Sequence, residues 1–107
     1  MALTKITSGI LADEFNTSAV ISASDVDFKS AQVFTKTLTA DTTLTFSNTS
    51  TGMVKDLVIT GDFTLTFPAG SKIVAGTYDG SVPNLIQIVC TDPSTSEFWI
   101  SISQEQA

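Results

Sequence analysis

In the segment Thr42–Ser47, Leu44 and Phe46 fall on one side of an extended chain and Thr43 and Thr45 on the other. The same alternation returns at Phe63, Leu65 and Phe67, set against Thr64 and Thr66, and again at Phe98, Ile100 and Ile102, set against Trp99, Ser101 and Ser103. A period of two belongs to a half-buried β-strand, because successive side chains of a strand point to opposite faces. No segment after residue 23 sustains a helical period. The chain holds 17 Thr, 13 Ser and seven Phe, and β-branched and aromatic side chains suit a pleated surface.

One unit occurs twice. Leu38-Thr39-Ala40-Asp41-Thr42-Thr43-Leu44-Thr45-Phe46 matches Ile59-Thr60-Gly61-Asp62-Phe63-Thr64-Leu65-Thr66-Phe67 at an offset of 21, with six of nine positions identical. Each copy reads as a strand end, an Asp-centred turn and a second strand, either two equivalent hairpins of one sandwich or the trace of a duplicated ancestor; two copies are too few for a solenoid. Aspartate in such a turn bonds nearby backbone amides.

Further strands are expected at Val33–Thr39, Met53–Thr60, Lys72–Ala75, Asn84–Thr91 and Glu97–Ser103. Asn84–Thr91 is apolar on both faces and reads as a central strand. Lys55 shares a face with Leu57 and Ile59, near an exposed end. Pro68-Ala69-Gly70 stops one strand, since proline lacks a ladder donor. Gly76–Pro83 reads as a long loop. About seven or eight short strands at roughly ten-residue spacing predict a sandwich or barrel. The expected fold is therefore all-β: an antiparallel β-sandwich over residues 24–107, with a jelly-roll-like course as one form of it.

Residues 1–23 differ. Ile6, Gly9, Ile10, Leu11, Phe15, Val20 and Ile21 are apolar without alternation. Asp13 and Glu14 suit a helical turn, but the segment is too short for an isolated helix. The reading is an extended N-terminal arm. Its apolar side chains require burial, either on the same domain or on a neighbouring subunit.

Residue inventory narrows the chemistry. The chain has no His, no Arg and one cysteine. Triads, Cys–His pairs, imidazole metal sites and guanidinium anion clamps are thus out of reach. A net charge of −6 with five lysines gives no basic patch for nucleic acid or for an anionic membrane. Cys90, within an apolar run, reads as a small buried hydrophobe. Asp25 and Asp27 are too few oxygens for calcium. Asp41, Asp62 and Asp79 are the remaining catalytic carboxylate candidates, though turn chemistry already accounts for the first two. No cofactor and no enzymatic activity are expected. No stretch matches a signal peptide or a membrane span, so synthesis and folding in the cytoplasm are expected. Trp99, opposite Phe98 and Ile100, suits a subunit interface or a stacked sugar. Tyr78, in the Gly76–Pro83 loop, is the second exposed-aromatic candidate.

Val26-Asp27-Phe28, Gln32-Val33-Phe34-Thr35-Lys36-Thr37-Leu38-Thr39, Asp41-Thr42-Thr43-Leu44-Thr45-Phe46-Ser47-Asn48 and Leu65-Thr66-Phe67-Pro68 together resemble small β domains of tailed-bacteriophage virion proteins. Such domains occur in head decoration (cement) proteins and in fibres. The C-terminal Phe98-Trp99-Ile100-Ser101 strand is similar. The segments Leu3-Thr4-Lys5-Ile6 and Ile10-Leu11-Ala12-Asp13 resemble the N-terminal tethers of such proteins. The resemblance implies a homo-oligomer, commonly a trimer, on the capsid surface of a virion. Its partner there would be the major capsid protein, held through Leu3, Ile6, Ile10, Leu11 and Phe15 and through a sheet face bearing Tyr78 and Trp99. The alternative it implies is a fibre or tail domain that binds a host-surface glycan.

Overall fold

The computed structural model describes residues 17–21 and 23–106. Ten strands are present: β1 (Ser18–Val20), β2 (Asp25–Asp27), β3 (Val33–Thr37), β4 (Thr42–Thr43), β5 (Thr45–Ser47), β6 (Val54–Thr60), β7 (Leu65–Thr66), β8 (Ser71–Ala75), β9 (Asn84–Asp92) and β10 (Glu97–Gln104). The described residues hold no helix. The protein is all-β.

Strand direction departs from the sequence reading. Six strands form one sheet in the order β1-β3-β6-β9-β10-β8, while β2 pairs with β5 and β4 with β7. The pairings β1–β3, β3–β6, β2–β5, β4–β7 and β8–β10 are parallel. Antiparallel pairing is confined to β6–β9 and β9–β10. Each turn of the chain lays its strands beside those of the previous turn, so Thr37 lies opposite Thr60 and Thr42 opposite Leu65. This course is solenoid-like and not that of an antiparallel sandwich or jelly roll. The reason for the difference is simple: a two-residue alternation is the same in both pairing types and carries no direction.

The duplicated unit is the repeat of this coil, with a shift. Paired residues are 23 apart, as Thr43 and Thr66 show, whereas the matching residues are 21 apart. The two-residue slip preserves the side each residue faces. Leu38 and Ile59 are both in the core, and Phe46 and Phe67 both pack against it.

Three phenylalanines from separate strands and turns close the core. Phe46 meets Phe98 edge-on at 4.8 Å, and Phe28 lies 5.3 Å from Phe46 and 6.1 Å from Phe98. Each such pair adds about 0.5–1.5 kcal/mol beyond area burial. They tie the β2–β5 pair to the β9–β10 hairpin. Cys90 is fully buried, and burial pushes its thiol pKa up. Lys55 is corrected: it lies on the inward face, only 1% exposed. Its Nζ is 3.5 Å from Gln32 Oε1, and Gln32 Nε2 donates to the Val54 carbonyl.

The boundary at residue 23 also moves. Ser18–Val20 pairs with β3, and Ile21 is a core residue whose amide donates to the Thr35 carbonyl at 2.9 Å. Residues 17–21 therefore pack on their own domain. Leu3, Ile6, Ile10, Leu11 and Phe15 lie outside the described residues.

Candidate interaction face

β6, β9 and β10 alternate cleanly. Lys55, Leu57 and Ile59, then Ile86, Ile88 and Cys90, then Phe98, Ile100 and Ile102 all point into the core. Their neighbours point outward, and many of those are apolar. Register aligns them into rows: Val54 opposite Val89, Val89 opposite Trp99, and Trp99 opposite Lys72. Two residues along, Asp56, Gln87 and Ser101 form a polar row, with Gln87 Nε2 donating to Asp56 Oδ1 at 3.2 Å. Two residues further, Thr35, Val58, Leu85 and Ser103 form the next row. Val54, Val58, Leu85, Val89 and Trp99 are each more than a third exposed. Val58, Pro83, Leu85 and Gln104 border an open depression of about 340 Å³ at that end of the face.

The reading of β9 as apolar on both sides holds for its composition. It is a central strand, flanked by β6 and β10. Only one of its faces is covered, however. On the other face Leu85 and Val89 alternate with Gln87 and Thr91, and both apolar side chains stay more than a third exposed.

Trp99 is fixed in place. Its Nε1 donates to Glu97 Oε1 at 3.2 Å, and Thr91 Oγ1 donates to the same oxygen at 2.6 Å. These bonds, with Thr91 the stronger influence, hold the Glu97 carboxyl below its ordinary pKa. Lys72 Nζ lies 5.9 Å from the indole centroid, within cation–π range. The indole is 41% exposed, a large apolar plate whose polar atom is already satisfied.

Tyr78 is not brought to Trp99. It packs against the core, and its hydroxyl donates to the Gly61 carbonyl at 2.7 Å. Burial, with Asp62 and Asp79 nearby, pushes its phenol pKa up. The Gly76–Pro83 loop around it is clamped by buried Asn84. The Asn84 amide donates to the carbonyls of Ile59, Asp79 and Val82, and its oxygen accepts from the Asp79 amide and from Gln104 Nε2. Gly61 sits at φ 124 against this corner, and a Cβ there would lie 2.7 Å from Leu38. Asn84 pairs toward the Gln104 end of β10, five residues from Trp99. At about 3.3 Å per residue the Asn84–Gln104 corner that holds the loop lies roughly 17 Å from Trp99 along the strand.

The carboxylates are engaged in local structure. Asp25 accepts from the Thr45 and Ser47 hydroxyls, and Asp27 from the Lys29 amide and Asn48 Nδ2. Asp79 and Asp92 each accept both the amide and the hydroxyl of the serine two residues on. Asp41 accepts from the Thr64 amide in the next coil, not from its own turn. Among the described residues no three metal-ligating side chains come together. No protein-family model matches the chain, and neither a curated protein nor a solved structure is detectably similar to it.

The sequence pointed to Trp99 but passed over Val54, Val58, Leu85 and Val89. For Leu85 and Val89 the signal was the double-sided apolar run of β9, and for Val54 and Val58 it was their place out of phase with Leu57 and Ile59 on β6.

Proposed function

We propose that the chain is a virion structural protein of the head decoration (cement) kind, which docks onto a major capsid protein lattice and stabilises it as a homo-oligomer, a trimer being the favoured form. It would then act on the capsid surface. One observation carries the reading: on the outer face of β6, β9 and β10, Val54, Val58, Leu85, Val89 and Trp99 are each more than a third exposed. Apolar faces of this kind mark interaction sites, and aromatic anchors such as Trp99 dominate interface energetics. Leu3, Ile6, Ile10, Leu11 and Phe15 precede the domain and supply further apolar side chains for the same partner. Under this reading the chain carries no catalytic site. The glycan-binding alternative is less well supported, because Tyr78 is held by Gly61 and does not join Trp99.

The test is co-sedimentation with empty capsids of the same virion. Trp99 is the only tryptophan, so its emission reports directly on the face. Docking should shift that emission to the blue. Val89→Asp with Trp99→Asp should abolish co-sedimentation. Removal of residues 1–16, which spares β1, should weaken it. Wild-type binding by the double variant would overturn the reading.

A further inference from the structure

Among the described residues the six-stranded sheet ends at β1 on one side and β8 on the other, with no further strand paired to either. The three most exposed large aliphatic residues of the described chain lie on those edges: Val20 at 75%, Val74 at 57% and Ile73 at 52%. Ile73 lies opposite fully buried Ile100, so the core layer runs out at β8. Lysine is a common guard of open edges. Here Lys72 is drawn over the Trp99 ring.

Backbone direction matches too. β1, β3 and β6 are parallel, β9 reverses, and β10 and β8 return to the first direction. β1 and β8 thus run the same way. On β1, the Val33 amide donates to the Thr17 carbonyl and the Ile21 amide to the Thr35 carbonyl. Alternation along a parallel strand then turns the amides and carbonyls of Ser18 and Val20 to the free side. On β8, the Phe98 amide donates to the Gly70 carbonyl, which by the same alternation turns the Ile73 amide to the free side, just before the register shift that follows Ile73.

We propose that β1 of one copy pairs in parallel with β8 of a second copy, continuing the six-stranded sheet across the subunit boundary. The added pair is of the type the chain already uses at β1–β3 and β8–β10. It covers Val20, Ile73 and Val74 together. Because the two edges differ, the contact is head-to-tail, closing into a ring or running on as a filament. The pairing is argued from the sheet alone and stands apart from the lattice reading.

Complementation tests it. Val20→Pro and Ile73→Pro each remove a free-side donor and no bond within the monomer, a position where edge proline is tolerated. In sedimentation velocity the full wild-type chain should exceed its 11.3 kDa monomer mass, and each variant alone should fall to it. An equimolar mixture should recover dimers, since one variant keeps β1 intact and the other β8. Should either proline variant lose its circular dichroism spectrum, Val20→Lys and Ile73→Lys replace the pair. Trp99→Asp should leave the mass unchanged. A monomeric wild type, a mixture that stays monomeric, or loss of association in Trp99→Asp would each overturn the proposal.

Discussion

The carboxylate of Asp41 accepts a hydrogen bond at 2.9 Å from the backbone amide of Thr64, one coil further along the chain. A turn residue thereby joins two coils where backbone pairing is shortest, since β4 and β7 share only two residue pairs. Asp41→Ala should lower unfolding free energy by about 1 kcal/mol, the usual worth of one such bond. Asp41→Asn keeps an acceptor and should cost less. Urea unfolding at neutral pH measures both.

Asn84 is the costliest polar residue to remove. Asn84→Ala strips the partners from the Ile59, Asp79 and Val82 carbonyls and from the Asp79 amide. Buried groups left unsatisfied cost about 1–3 kcal/mol each, so a loss of roughly 3 kcal/mol or more is expected. Limited proteolysis should then cut within Gly76–Pro83 before the rest of the chain.

Ser71 offers a change of the opposite sign. Its hydroxyl is buried and has no hydrogen-bond partner. Ser71→Ala removes that group at almost no change in volume. Stability should hold or rise by up to about 1 kcal/mol, read from the urea midpoint.

Acid sensitivity follows from the local carboxylate bonds. Asp27, Asp79, Asp92 and Glu97 all have folded pKa values below their ordinary 3.8 or 4.5. The unfolded chain therefore binds more protons in that range, and stability falls as pH drops from the ordinary values through the folded ones. With no histidine, the urea midpoint should stay nearly flat from about pH 5 to 8 and decline below about pH 4. Ser94→Ala, which removes the main cause of the Asp92 shift, should make that decline shallower.

The strands after residue 32 were legible because Leu, Ile and Phe alternate with Thr and Ser. The duplicated unit was legible as a repeat but not as a coil, because two copies fit two hairpins of one sandwich equally well. Strand direction was not legible, since alternation is blind to it; only the pairing of Thr42 with Leu65 reveals a parallel turn. Parity placed Lys55 correctly on the face of Leu57 and Ile59, but its charge suggested an exposed strand end where the structure buries it. Tyr78 misled through its loop, because nothing near it in sequence announces Asn84 and Gly61 as its setting. β9 was read correctly as a central strand, but its outward Leu85 and Val89 stay partly exposed, which alternation alone does not reveal.

The reversal at β9 has an architectural consequence. It lays an antiparallel strand over the edge of β6, where another parallel turn would otherwise continue. The hairpin thus separates β8 from the parallel strands β1, β3 and β6, and the coils on the β6 side are the extensible part. A longer version of this protein is expected to differ by a whole turn of about 21–23 residues, spliced between β3 and β6, with the hairpin and β8 unchanged.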